Sequence, residues 1–219
     1  MVKGESVDLK EASNALIKST TTVGIVCADG VVMGADTRVS IDTFIMSTEA
    51  VKVFKIDDTL GMAIAGLGVD SDYLVKFLKV QNELHKMEEG KPLSPGAASS
   101  LLSVLLQESK FTPYLVELLI GGMNGDKPEL YSIDAFGGAI KESKFSANGS
   151  GAVTAIGYLE SAYNESISTE EGIKQLIKSL KIAMRRDSAT GNNIKAIAIT
   201  SKGFKEYTKE EIEKIAKSI

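Results

Sequence analysis

Two apolar, β-branched runs, residues 20–28 and 31–38, meet at Asp29-Gly30. Asp-Gly at such a junction is a strong hairpin signal, because the turns that match strand twist need positive φ at their central residues. A two-residue turn on Asp29-Gly30 sets Thr21 opposite Arg38 and Thr22 opposite Thr37. The start of the first strand thus lies beside Asp36 and Arg38. A slip of one residue exchanges the faces of the hairpin, so the pattern fixes proximity and not side-chain direction.

The remaining elements follow in blocks. Residues 50–56 read as a third strand, with Val51 and Val53 on one face and Lys52 on the other beside Phe54 and Ile56. A fourth strand spans residues 60–66. An amphipathic helix follows from about Asp70 to Glu89, with Leu74, Phe77, Leu78 and Leu84 on its apolar side and Gly90 ending it. Ser94-Pro95 starts a second helix bearing Leu101, Val104 and Leu105. Strands return at residues 114–123, 129–135 and 140–147. Gly149-Ser150-Gly151 opens a third helix, and Ser168 with Glu171 forms a capping box for a fourth. A hairpin across Lys202-Gly203 and a helix capped by Thr208 and Glu211 close the chain. Hairpin-linked blocks of strands argue against a parallel, doubly wound sheet. Two antiparallel sheets stacked face to face, with helix pairs outside, bury every apolar stripe. The expected fold class is an α+β sandwich.

A chain of 219 residues with 43% hydrophobic content suits one domain with a sizeable core. The formal net charge is −4, and no basic stripe interleaves with aromatics, so no nucleic-acid partner is expected. The single cysteine, Cys27, sits in an apolar run and reads as a core residue. It excludes a disulfide scaffold and points to the cytoplasm. Residues 1–19 are polar and contain neither a secretory signal nor a membrane span. They read either as a mobile extension or as a removable leader.

Familiar catalytic machinery is missing. The one histidine, His85, falls on the mixed side of a long helix and reads as a surface residue. No HExxH, P-loop or paired CxxC occurs, so neither a metal nor a cofactor is expected. Gly149-Ser150-Gly151 follows no βαβ unit and does not read as a nucleotide loop. What remains is threonine chemistry. A threonine hydroxyl needs a base, and its own α-amine serves when the residue is N-terminal. That amine titrates near neutrality, at about 7.7–8.0. Asp36 offers a carboxylate close to the strand start, and Lys52 is a charge on an otherwise apolar strand face. They are equally compatible with an ordinary ion pair at a sheet edge.

Thr-Thr-Thr-Val-Gly-Ile at 20–25, Gly-Ala-Asp-Thr-Arg at 34–38 and Val-Lys-Val-Phe at 51–54 resemble the β subunits of the 20S proteasome, archaeal ones most of all. So do Ala-Ile-Ala-Gly at 63–66, Ile-Gly-Gly at 120–122, Gly-Tyr-Leu-Glu at 157–160 and Arg-Asp-Ser at 186–188. The resemblance is colinear from Thr20 onward. It implies the N-terminal-nucleophile fold, a four-layer αββα sandwich, and a division into a propeptide, 1–19, and a catalytic domain, 20–219. Thr20 would be the nucleophile once cleavage after Ser19 frees its amine. Lys52 would activate it, held by Asp36, and the Gly66 N–H would be the oxyanion donor. Ser150, Asp187 and Thr190 match the residues around the amine, with Thr190 where the family usually has Ser. The family's substrate pocket falls on Val39, Ala50, Phe54, Ile64 and Gly68. Asp72, on the following helix, is counted with the pocket and is also within reach of a neighbouring subunit's pocket, where it would admit basic residues.

The implied partners are other β subunits in heptameric rings, rings of α subunits, an ATP-dependent unfoldase, and unfolded polypeptides as substrates. Two departures bear on activity. Ser19 replaces the Gly that precedes the nucleophile in active members, and Ala152 replaces a serine common after Gly-Ser-Gly. Ser19 keeps open a second reading, an unprocessed and catalytically silent structural β subunit.

Overall fold

The computed structural model describes residues 20–41 and 43–219. The chain opens with the expected hairpin, β1 (Thr21–Cys27) and β2 (Gly30–Asp36). A small hairpin follows, β3 (Val39–Ile41) with β4 (Phe44–Ser47). Next come β5 (Val53–Asp57), β6 (Leu60–Gly66), α1 (Gly68–Glu89) and α2 (Pro95–Glu108). The strands β7 (Val116–Asn124), β8 (Lys127–Ile133), β9 (Ala139–Glu142) and β10 (Phe145–Gly149) form the third block. The chain ends with α3 (Ala152–Ala162), α4 (Thr169–Arg186), β11 (Ile194–Thr200), β12 (Gly203–Glu206) and α5 (Lys209–Lys217).

Two five-stranded antiparallel sheets result, ordered β10-β1-β2-β11-β12 and β5-β6-β7-β8-β9. Met33, Leu119, Leu130 and Ile199 pack between the sheets. Met62, Leu74, Leu78 and Leu102 bury the outer face of the second sheet under α1 and α2. Val23, Ile25, Leu176 and Leu180 do the same for the first sheet under α3 and α4. The layers therefore run α, β, β, α, as the order of elements implies.

The opening hairpin is present with its register shifted by two residues. Cys27 pairs with Gly30 and Thr22 with Ala35, so Ala28-Asp29 forms the turn. Neither Asp29 nor Gly30 adopts positive φ. Two contacts explain the shift. A Cβ on Gly30 would stand 2.2 Å from the Ile199 carbonyl, so this glycine lets β11 approach β2 and belongs to the strand. The Asp29 carboxylate is occupied elsewhere, accepting from the Thr169 amide at 2.7 Å and the Thr169 hydroxyl at 3.0 Å. An even shift preserves the faces of both strands. It moves Asp36, and not Arg38, opposite Thr21.

Other differences have local causes. Residues 140–147 are not one strand: the chain breaks at Ser143-Lys144, and β9 and β10 join different sheets. The β3–β4 hairpin carries no turn dipeptide that marks it. Val51 is exposed because β5 begins only at Val53. Leu84 is exposed because Asn82 takes the inward position on α1, donating to Asp57 and accepting from the Leu93 amide. On α2 the core residues are Leu102 and Leu106, and Val104 faces solvent. Cys27 is buried in the core as expected; burial first, then the nearby Asp29 charge, pushes its thiol pKa up to about 12.

The Asp29 contacts link the first turn of the chain to the start of α4. Asp29→Ala should lower the unfolding free energy by about 1 kcal/mol. Urea denaturation of the single chain measures this, with Asp29→Asn, which keeps one acceptor, falling between the two. An unchanged midpoint would mean that these hydrogen bonds do not set the turn.

Candidate active site

The site begins at the last residue of β2. Asp36 is fully buried, and its carboxylate accepts four hydrogen bonds. The Thr21 amide (2.9 Å) and the Lys52 ammonium (3.0 Å) reach Oδ1. The Arg38 and Gly191 amides reach Oδ2, both at 3.0 Å. A buried carboxylate needs such compensation, and here it draws β1, β2, the lead-in to β5 and the loop before β11 together. Lys52 sits just ahead of β5, where its carbonyl extends the ladder by accepting from the Ile64 amide at 2.9 Å. The side chain is buried and also donates to the Arg38 carbonyl. Burial lowers the Lys52 pKa below its ordinary 10.5, with the Asp36 charge opposing the shift.

Arg38 is held from the other side. Its guanidinium donates to Asn192 Oδ1 at 2.8 Å and to the Ser188 carbonyl at 2.7 Å. Asn192 supplies this acceptor from a left-handed conformation, φ 69°.

Thr20 precedes β1 and is almost fully buried. Its carbonyl accepts from the Ser150 amide at 2.8 Å. That contact requires glycine at 149, which has φ +90° and whose Cβ would stand 1.9 Å from the Thr20 oxygen. Glu117, on β7 in the other sheet, fixes this turn by accepting from the Gly149 amide at 2.8 Å. Beyond the turn lies a cluster of hydroxyls. Ser150 Oγ and Thr190 Oγ1 both donate to Asp187 Oδ2. Thr21 Oγ1 lies 2.6 Å from Thr190 Oγ1 and accepts from the Gly151 amide at 3.0 Å.

Gly66 closes the third side. Its φ is +138°, and a Cβ would stand 2.1 Å from the Leu115 carbonyl, so only glycine fits. The Leu67 amide donates to Leu115 across the β6–β7 ladder. Antiparallel alternation then turns the Gly66 amide away from β7, to the side where pairing with β5 has already ended. There Thr20, Lys52 and Gly66 line one cleft of about 320 Å3, together with Val39, Ala50, Phe54, Ile64, Gly68 and Asp72.

All the site residues named from the sequence that lie among the described residues converge on this one region. Ser19 lies outside the described residues. Asp72 lines the cleft of its own chain, because α1 starts at Gly68 and puts Asp72 in its first turns. Its carboxylate is largely exposed, 3.3 Å from Lys76. Sequence reasoning did not single out Thr21, Gly191 or Glu117. Thr21 was open to detection as the neighbour of Thr20 on the buried strand, whereas Gly191 and Glu117 act through contacts distant in sequence. Among the described residues no group of three or more His, Cys, Asp or Glu side chains could hold a metal, and no helix is long and apolar enough to cross a membrane.

Comparison with known proteins gives the family. Residues 17–199 match the family described as Proteasome subunit. The chain is 44% identical over 201 residues to proteasome subunit beta 1 of Thermococcus onnurineus, covering 92% of this chain and 98% of that protein. It is 42% identical over 207 residues to proteasome subunit beta of Methanocaldococcus fervens (93% and 92%). It is 40% identical over 203 residues to that of Methanohalophilus mahii (93% and 97%). With a family match over most of its length and relatives this similar, the chain belongs to the proteasome subunit family.

Proposed function

We propose that this chain is a threonine endopeptidase subunit of a proteasome core, made as a precursor and activated by cleavage between Ser19 and Thr20. The observation that carries the reading is the buried Asp36–Lys52 pair opening onto a cleft that Thr20 and Gly66 share. Compensating Asp36 is a structural use of Lys52, but a purely structural pair has no need to open onto a cleft beside Thr20 and the Gly66 amide. In the proposed mechanism the freed Thr20 amine takes the proton of the Thr20 hydroxyl as the hydroxyl attacks the scissile carbonyl. The Lys52 charge stabilises the developing alkoxide, and Asp36 holds that charge in place. The Gly66 N–H stabilises the oxyanion, a contact that contributes about 2.7–4 kcal/mol in other enzymes. Ser150, Asp187 and Thr190 orient the amine. The leader, the β and α partners, the unfoldase and the unfolded substrates belong to the same proposal, as does a cytoplasmic location.

Ser19 favours the second reading, a silent structural subunit, because self-cleavage needs a tight turn at which Gly is cheaper than Ser. Intact mass after co-assembly with α subunits separates the two readings. Cleavage leaves 200 residues (219 − 19), and Ser19→Gly should accelerate it. Thr20→Ala should abolish processing and hydrolysis while assembly persists. Lys52→Ala should also abolish processing and hydrolysis, at some cost to stability because Asp36 is left buried without its cation, and near-normal turnover in Lys52→Ala particles would rule out the mechanism. Particles that retain only full-length chains and hydrolyse nothing would establish the structural reading.

Lys52 also sets an alkaline limit. Its charge is needed, and its pKa lies below 10.5. As pH rises through that lowered value the ammonium loses its proton, so kcat should fall at a pH below the ordinary lysine range. A profile flat to pH 10.5 would argue against a role for the charge.

The cleft predicts which bond is cut. Val39, Ala50, Phe54 and Ile64 give it apolar walls. An apolar P1 side chain gains about 25 cal/mol per Å2 buried, and an unpaired charge against Ile64 loses several kcal/mol. Hydrolysis should favour Leu, Tyr or Phe at P1 in a fluorogenic panel differing only there. Preference for Arg would instead implicate Asp72, and Asp72→Asn would then remove it.

A further inference from the structure

We infer that Thr21 is a positioning residue, heading a one-way chain of hydrogen bonds from Thr21 to Thr190 to Asp187 that sets which lone pairs face the Thr20 amine. The inference rests on the threonine-peptidase reading and assigns a role that none of its steps requires. A hydroxyl has one proton to donate, and a carboxylate only accepts. Asp187 Oδ2 accepts from both Ser150 Oγ and Thr190 Oγ1, so the protons of those two hydroxyls are committed. The 2.6 Å contact between Thr21 Oγ1 and Thr190 Oγ1 must then use the remaining proton. Thr21 donates and Thr190 accepts.

The surroundings hold Thr21 in that direction. The Gly151 amide, at the N-cap of α3, donates to Thr21 Oγ1 at 3.0 Å. The Thr21 amide is tied to Asp36, and the whole residue is fully buried, so water cannot replace its hydroxyl. A Cβ at residue 151 would stand 2.3 Å from Thr21 Oγ1, which leaves no room for another side chain. With every hydroxyl proton aimed toward Asp187, Ser150 has none left for the Thr20 carbonyl 3.3 Å away or for Thr190 at 3.5 Å. Its lone pairs stay available to the amine that cleavage frees at Thr20. Removing the donor at the head of the chain leaves the acceptors around that amine more electron-rich. This stabilises the ammonium form and raises the amine's pKa.

The test uses the full chain co-assembled with α subunits, with activity normalised to processed subunits counted by intact mass. Thr21→Val keeps the shape and removes the hydroxyl; Thr21→Ser keeps the hydroxyl. In Thr21→Val, kcat should fall about tenfold with KM unchanged, and the acid limb of the kcat profile should move to higher pH. Thr21→Ser should return both to parental values. A Thr21→Val chain that assembles without self-processing while Thr21→Ser processes normally would overturn the proposal, because it puts the role of Thr21 before the amine exists. Parental kcat and acid limb in Thr21→Val, or equal impairment in Thr21→Ser, would overturn it. A parent particle with no hydrolysis removes the proposed function and this role together, whereas an active parent with an unaffected Thr21→Val removes only the role of Thr21.

Discussion

The Asp36 carboxylate is the interaction on which the site depends. It is wholly inside the protein, where an unpaired charge would be prohibitive, and four donors from separate segments meet it. One of those donors, the Gly191 amide, belongs to a loop outside the β ladders, and another, the Thr21 amide, opens β1. The third, the Arg38 amide, lies just past the end of β2. Only Lys52 arrives as a side chain, and it alone connects Asp36 to the second sheet. Removing one partner of such a pair typically costs about 3–5 kcal/mol, because the other charge remains buried. The arrangement therefore couples the placement of the Lys52 charge to the integrity of the fold at this end of the sandwich.

Backbone conformations that only glycine supplies complete the frame. Gly149 lets the Ser150 amide reach the Thr20 carbonyl, and Gly66 lets β6 cross close to Leu115 while its amide turns toward the cleft. Each lies at the end of a strand, where the ladder stops and a backbone group becomes free for other work. Glu117 links the two systems, since its carboxylate from β7 secures the Gly149 turn.

Much of this was legible in the sequence. The blocks of strands and the apolar stripes of the helices specify the four layers, because each stripe needs a partner face. The proximity of Thr20 and Asp36 followed from one hairpin, whereas Lys52 stood out as a charge on an apolar strand face and its place beside them followed only from the family resemblance. The register did not follow, because Asp29-Gly30 has two competing uses. Local turn chemistry favours it as the turn, and tertiary contacts to Thr169 and Ile199 claim both residues for other roles. The break between β9 and β10 was equally hidden. No glycine or proline marks Ser143-Lys144, and the change of sheet is decided by what each half packs against. Contacts such as that of Glu117 with Gly149, or of Gly191 with Asp36, span distances in the chain that periodicity cannot register.

The chemistry and the walls of the cleft arise from different parts of the sandwich. Thr20, Thr21, Asp36, Ser150, Asp187 and Thr190 belong to the first sheet and the segments joined to it. Ile64 and Phe54 belong to the second sheet, Val39 opens the β3–β4 hairpin and Ala50 follows it. Among the residues that line the cleft, Lys52 and Gly66 are the second sheet's contribution to the charge and amide set. Substitution at Val39, Ala50 or Asp72 therefore alters what the cleft accepts without touching any donor to Asp36 or Asp187. Ile64 is different, because its amide holds the Lys52 carbonyl. Its side chain shapes the cleft while its backbone steadies the lysine, so this strand position is where fit to a ligand and placement of the charge meet.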